Sequence, residues 1–237
     1  PISGHASPTR IVADSSNIGT VKIAIMLGAR RQQEMLAAVG LFDRSPVEVA
    51  GSAAPLLPEQ FDEIHAATVS YGHGIAVSPM AFATAFSVFA NGGEVVEPTI
   101  IMDGKRRRTR RVISAPTAAV VTRMLREAVV DGTGRFAEVA GYRVAGKTGT
   151  AEKPIAGGYA DDENISSFAA IFPADSPDYV VLIVLDAPKE GAGRGRTAAY
   201  NAAPTAGRVI ERVAPMLGVE PKFEDLGRGE SPMVRSV

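Results

Sequence analysis

Two apolar runs, SSFAAIFP (166–173) and DYVVLIVLDAP (178–188), are separated only by Ala174, Asp175, Ser176 and Pro177. Each run has the length and the β-branched and aromatic content of a strand, and the residues between them are turn formers. So short a connection cannot carry a crossover helix, so the two strands pair antiparallel. Helical patterns lie before and after them. The expected fold class is therefore α+β, an antiparallel sheet covered by helices.

The preceding pattern supplies those helices. Ile18 to Leu27, IGTVKIAIML, reads as a buried helix, and ARRQQEMLAAVG follows with Gly40 as its stop. Arg44 to Leu57 is rich in Pro, Gly, Ser and Ala and reads as irregular. Ser78-Pro79 opens a further helix, with Ser as N-cap and Pro in the first turn, and Asn91-Gly92-Gly93 ends it. That helix is apolar nearly all round and should lie deep. Short extended pieces from Glu94 and from Arg111 flank a basic tip, Lys105 to Arg111, expected to be solvated. Another helix starts near Ser114-Ala115-Pro116 and is broken by Asp131-Gly132-Thr133-Gly134. Tyr142 to Thr150 reads as a strand, Glu152 to Asn164 as a loop around Pro154 and Gly157-Gly158, and Pro204 to Leu217 as a last helix.

Bulk properties narrow the function. The net charge is −1, which makes no global case for nucleic acid. Without cysteine there is no thiol catalysis or thiolate metal site, and His5, His65 and His73 show no ligand spacing, so neither metal nor cofactor is expected. No apolar run approaches the length of a membrane span. The 237 residues read as one domain that begins without Met, a piece of something longer.

The stretch GYRVAGKTGTAEKP (141–154) admits two chemistries. Its first eight residues satisfy the phosphate-loop pattern G-x-x-x-x-G-K-[ST], and VVLIVLD (180–186) resembles a magnesium-binding strand. A phosphate loop needs a helix starting directly after the Lys-Thr pair, to supply N–H donors and dipole. Here Gly149 and Pro154 make a poor helix start. Read as K-T-G, the stretch needs only a strand edge, where Lys147 projects an ammonium, Thr148 offers a hydroxyl to a carboxylate, and Gly149 leaves room for an extended peptide. Near the other end, Ser15-Ser16-Asn17 forms an S-x-N at a loop–helix junction, where Ser and Asn also serve as ordinary caps.

With S-x-N and K-T-G in hand, the chain resembles the transpeptidase domain of class B penicillin-binding proteins, the division-specific type most of all. The blocks DSSNIGTVKIA, VSYGHGIAVSPM followed by ANGG, MLREAVVDGTGRFAEVAGYRVAGKTGTAEKP and SSFAAIFPADSPDYVVLIVLDAPK carry the likeness over nearly the whole length. The resemblance implies a β-lactamase/transpeptidase-like fold, here lacking the upstream nucleophile helix and first strands. It implies acyl transfer through a serine, on peptidoglycan stem peptides, with β-lactams as mimics. Ser15 would belong to the proton relay and Asn17 would bind the substrate amide. Lys147 would polarise the relay, Thr148 would bind the carboxylate, Gly149 would keep the strand approachable, and the backbone N–H of Thr150 would form half an oxyanion hole. It also implies division-complex membrane proteins as partners and a parent anchored in the cytoplasmic membrane with this domain outside.

One motif is missing. No serine is followed by lysine three residues on; Ser7 meets Arg10, Ser16 meets Gly19 and Ser45 meets Glu48. The chain alone is therefore expected not to acylate. The rival readings are a serine β-lactamase or β-lactam sensor, a noncatalytic division scaffold, and a phosphate-loop ATPase.

Overall fold

A computed structural model describes residues 4–44, 47–105, 107–155, 158–189 and 195–223. Its elements run α1 (Pro8–Ala13), α2 (Asn17–Leu27), α3 (Ala29–Ala38), α4 (Glu63–Ser70), α5 (Pro79–Ser87), β1 (Glu94–Val96), β2 (Thr109–Arg111), α6 (Ala115–Val130), a 3-10 turn at Arg135–Ala137, β3 (Ala145–Ile155), β4 (Gly158–Phe172), β5 (Tyr179–Asp186) and α7 (Ala202–Met216). The main sheet is antiparallel in the order β3-β4-β5, which leaves β3 at an edge.

Strand alternation sorts the core into two layers. Phe168, Ala170 and Phe172 face α7, where Ala206, Ile210 and Ala214 bury against them. Ala169 and Ile171 point the other way and meet Phe86 and Leu125, so α5 and α6 cover that face. The helix starts follow from capping. Ser78 and Ser114 accept hydrogen bonds from the backbone N–H of Ala81 and Thr117, each with Pro in the first turn.

Two expectations are corrected. Residues 152–164, read as a loop, extend β3 and β4. Glu152 pairs with Asn164, and Lys153 Nζ bridges Glu163 on β4 (3.1 Å) and Asp186 on β5 (3.0 Å). Pro154 is tolerated because β3 is an edge strand and the register shifts between Glu152 and Pro154. Asp161, Asp162 and Glu163 thus belong to a strand. The helix at 18–27 forms but is not buried: Ile18, Ile25 and Met26 are 72, 64 and 86% exposed. Its apolarity is spread over all sides, whereas α3 and α4 cover only part of it. Lys105, Arg108, Arg110 and Arg111 of the basic tip are exposed, as expected of a solvated run, and several of its side chains find partners. Arg107 pairs with Asp103, Arg110 donates to the Ala38 carbonyl, and Arg111 pairs with Glu94.

Candidate active site

Two parts of the chain remote in sequence build the site. The first is the α1–α2 junction. Ser15 occupies the left-handed region at φ 54°, a conformation that costs a non-glycine residue energy and persists only where its surroundings hold it. They do so here: the Ser15 and Ser16 N–H groups donate to Val12 and Ile11, and the Ser16 hydroxyl caps α2 through the Gly19 N–H. The second part is edge strand β3. Its pleat sends Lys147 to the face shared with Ala145, and Thr148 and Thr150 to the face shared with Phe168 and Ser166.

The two parts meet. Lys147 Nζ donates to Ser15 Oγ at 2.8 Å and reaches the Thr148 carbonyl at 3.2 Å and Thr148 Oγ1 at 3.4 Å. Burial pulls the Lys147 amine down from its ordinary value of 10.5 to about 8. Among the described residues no carboxylate pairs with it, so its charge is offered to hydroxyls and to whatever occupies the edge.

The other expected residues stand as follows. Asn17 opens α2 beside Ser15; it is exposed, and its side chain makes no hydrogen bond among the described residues. Thr150 Oγ1 accepts from the Ala198 N–H at 3.0 Å, which ties the segment before α7 to the strand. Gly149 makes its close approach to β4, where an added Cβ would sit 2.6 Å from Ser167 Oγ.

Several residues escaped the sequence reading. Thr133, taken only as part of a helix-breaking run, lies with its hydroxyl 2.8 Å from Thr148 Oγ1. Its N–H donates to the Ala13 carbonyl (3.1 Å), and Arg10 bridges Asp14 (2.7 Å) and Asp131 (2.9 Å), so α1 is clamped onto the end of α6. Gly132 permits that clamp; a Cβ there would lie 2.5 Å from the Ala13 carbonyl oxygen. Arg10, Asp14, Ser16 and Thr133 line an open concavity of about 750 Å³ beside the Lys147–Ser15 contact. On the far side of β3, the Arg196 carbonyl accepts from Asn164, Ser166 and Asn201 (2.9–3.0 Å). No local pattern marks the pairings of Thr133 with Thr148, of Arg10 with Asp131 or of Ser166 with the Arg196 carbonyl, because their partners lie far along the chain.

Residues 141–148 form a turn and the start of β3, with no helix springing from Thr148, so the phosphate-loop reading is excluded on geometry. What the site offers is hydroxyl and ammonium chemistry beside an open strand edge.

Residues 2–211 match the family model described as the penicillin binding protein transpeptidase domain. The chain is 43% identical to a probable peptidoglycan D,D-transpeptidase FtsI of Caulobacter vibrioides, over 92% of this chain and 39% of that protein. It is 33% identical to the stage V sporulation protein D of Bacillus subtilis, over 92% and 36%. The chain thus spans well under half the length of these relatives. Among solved structures, the apo transpeptidase domain of Burkholderia pseudomallei penicillin-binding protein 3 superposes with a TM-score of 0.84 at 32% identity, over 94% of this chain and 68% of that one. Mycobacterium tuberculosis penicillin-binding protein 3, complexed with aztreonam, gives 0.81 at 33% identity, over 91% and 52%.

Proposed function

This chain belongs to the penicillin-binding protein transpeptidase family, and from that premise we propose that it is part of a peptidoglycan D,D-transpeptidase of septal wall synthesis that works through an acyl-serine and is trapped by β-lactams. The observation that carries the reading is the 2.8 Å contact between Lys147 Nζ and Ser15 Oγ at the open edge of β3.

The chemistry follows from that contact. A serine hydroxyl attacks the carbonyl of the terminal D-Ala-D-Ala amide, the C–N bond breaks, and D-Ala leaves with a proton. Ser15, hydrogen-bonded to Lys147, passes that proton, and the ammonium favours the charge that builds up. Thr148 and its partner Thr133 receive the substrate carboxylate. Asn17 binds the substrate amide, and the Thr150 N–H, in the strand that Gly149 leaves open, polarises the carbonyl. An amine of a neighbouring stem peptide then displaces the serine and forms the cross-link. The attacking serine, which no S-x-x-K in this sequence supplies, comes from residues beyond it, so the 237-residue chain forms no adduct by itself. The parent is anchored in the cytoplasmic membrane with this domain on the outer side, among membrane proteins of the division complex. No helix of the described residues is long and apolar enough to cross a membrane.

The test is labelling of the full-length parent with a fluorescent penicillin. A stable adduct is expected on the parent, with labelling slowed about 10²–10⁴-fold in Ser15→Ala and Lys147→Ala. No adduct on the parent points to a noncatalytic scaffold, and rapid turnover of the antibiotic to a lactamase. A stable adduct on the 237-residue chain overturns the missing-serine part of the reading.

A further inference from the structure

Edge strand β3 carries a charged side chain that the site chemistry does not use and the fold does not engage. Glu152 is exposed, and its carboxylate makes no hydrogen bond or ion pair among the described residues. Only its backbone pairs, with Asn164 on β4. The register runs unbroken from Thr148 opposite Phe168, through Thr150 opposite Ser166, to Glu152 opposite Asn164, which puts all three side chains on one face of the sheet. The next residue, Lys153, is occupied by Glu163 at 3.1 Å and Asp186 at 3.0 Å, so the Glu152 charge is left unanswered.

The order of groups along β3 sets the direction of a bound substrate. With the terminal carboxylate at Thr148 and the scissile carbonyl at the Thr150 N–H, the chain upstream of that carbonyl continues toward Glu152, antiparallel to β3. At about 3.3 Å per residue, Glu152 stands about 7 Å beyond Thr150 along the edge. A residue of an added strand that lies opposite or diagonal to Glu152 has its side chain within reach of it. Only the leaving D-Ala lies downstream of the scissile bond, so every other residue of the stem peptide lies on the Glu152 side.

Transpeptidation dictates what one of those residues carries. Cross-linking consumes an amine of a neighbouring stem peptide, and strands that serve as both donor and acceptor carry the same amine in the donor stem. A free side-chain amine is an ammonium at neutral pH. On the premise of transpeptidation at Ser15 and Lys147, we propose that Glu152 is a specificity-determining residue that selects donor peptides with an ammonium-bearing side chain upstream of the scissile bond. The strand edge is then polarised to match its substrate. The Lys147 ammonium serves the end that takes the terminal carboxylate, and the Glu152 carboxylate serves the end that takes the amine. The pair with Glu152 is solvent-exposed, so it selects by about two- to fivefold and carries no step of the chemistry.

The test uses three penicillins on the full-length parent. Their acylamino group takes the place of the upstream residues, and they are identical except that its flexible chain, long enough to span about 7 Å, ends in an ammonium, a methyl or a carboxylate. Second-order acylation rates are read by competition with a fluorescent penicillin. Ratios are taken within each variant, so a change in overall rate does not enter. The wild type is expected to favour the ammonium over the methyl form about two- to fivefold and to disfavour the carboxylate form by a similar factor. Both preferences should shrink at about 1 M salt. Glu152→Gln should level the three rates, and Glu152→Lys should invert their order. Glu211→Gln, an equal loss of charge at an exposed position of α7, should keep the wild-type order. Equal rates in the wild type, an unchanged order in Glu152→Lys, or the same levelling in Glu211→Gln overturns the proposal, while the labelling itself leaves the transpeptidase reading standing. A parent that no penicillin labels overturns both.

Discussion

Lys147 Nζ stands 2.8 Å from Ser15 Oγ across a separation of 132 residues. The contact depends on the clamp of α1 against α6, on the left-handed turn at Ser15 and on the edge position of β3. It joins the chemistry of the site to the integrity of the fold, and the predictions below separate the two.

The Lys147 amine titrates near 8 because burial disfavours its charged form. In the unfolded chain it stays protonated to about 10.5, so between these values the unfolded state binds more protons. Stability of the wild type relative to Lys147→Met should thus rise from pH 8 to 10.5 and be flat below pH 7; urea denaturation at several pH values reads this out. Penicillin acylation of the parent, if it uses the ammonium, should decline as pH rises through about 8.

Gly132→Ala places a methyl 2.5 Å from the Ala13 carbonyl oxygen and 2.7 Å from that of Ala128. Backbone cannot give way cheaply, so a loss of about 1–3 kcal/mol is expected in chemical denaturation. Displacing α1 also moves Ser15, so parent labelling should fall in the same variant.

Thr133→Val keeps the shape of the side chain and deletes the partner of Thr148 Oγ1. Penicillin acylation of the parent should slow with little change in thermal midpoint, and Thr133→Ser should restore the rate. An unchanged rate in the valine variant would remove Thr133 from the site.

Ser166 is fully buried and donates to the Arg196 carbonyl at 3.0 Å. That carbonyl keeps Asn164 and Asn201 as donors, so Ser166→Ala should cost only about 0.5–1.5 kcal/mol. Amide exchange of residue 198, whose N–H donates to Thr150 Oγ1, should rise more than that of the β4 core.

What could be read along the chain was local chemistry: the Ser78 and Ser114 caps with their prolines, the breaks at Gly40 and at Asp131 to Gly134, and the antiparallel pairing forced by four residues between 173 and 178. Capping and turn formation are settled within a few residues, so their signals survive in sequence. The ladder over 152–164 did not, because a strand edge with Pro154 is stabilised by partners such as Asn164 and Asp186, not by its own composition. Nor could the exposure of Ile18, Ile25 and Met26 be read, since apolarity says what a residue favours and not what covers it. The contacts of Thr133 with Thr148 and Arg10 with Asp131 were decided by packing alone, as was the approach of Lys147 to Ser15 that the family resemblance implied: each joins elements whose approach is set by the whole core.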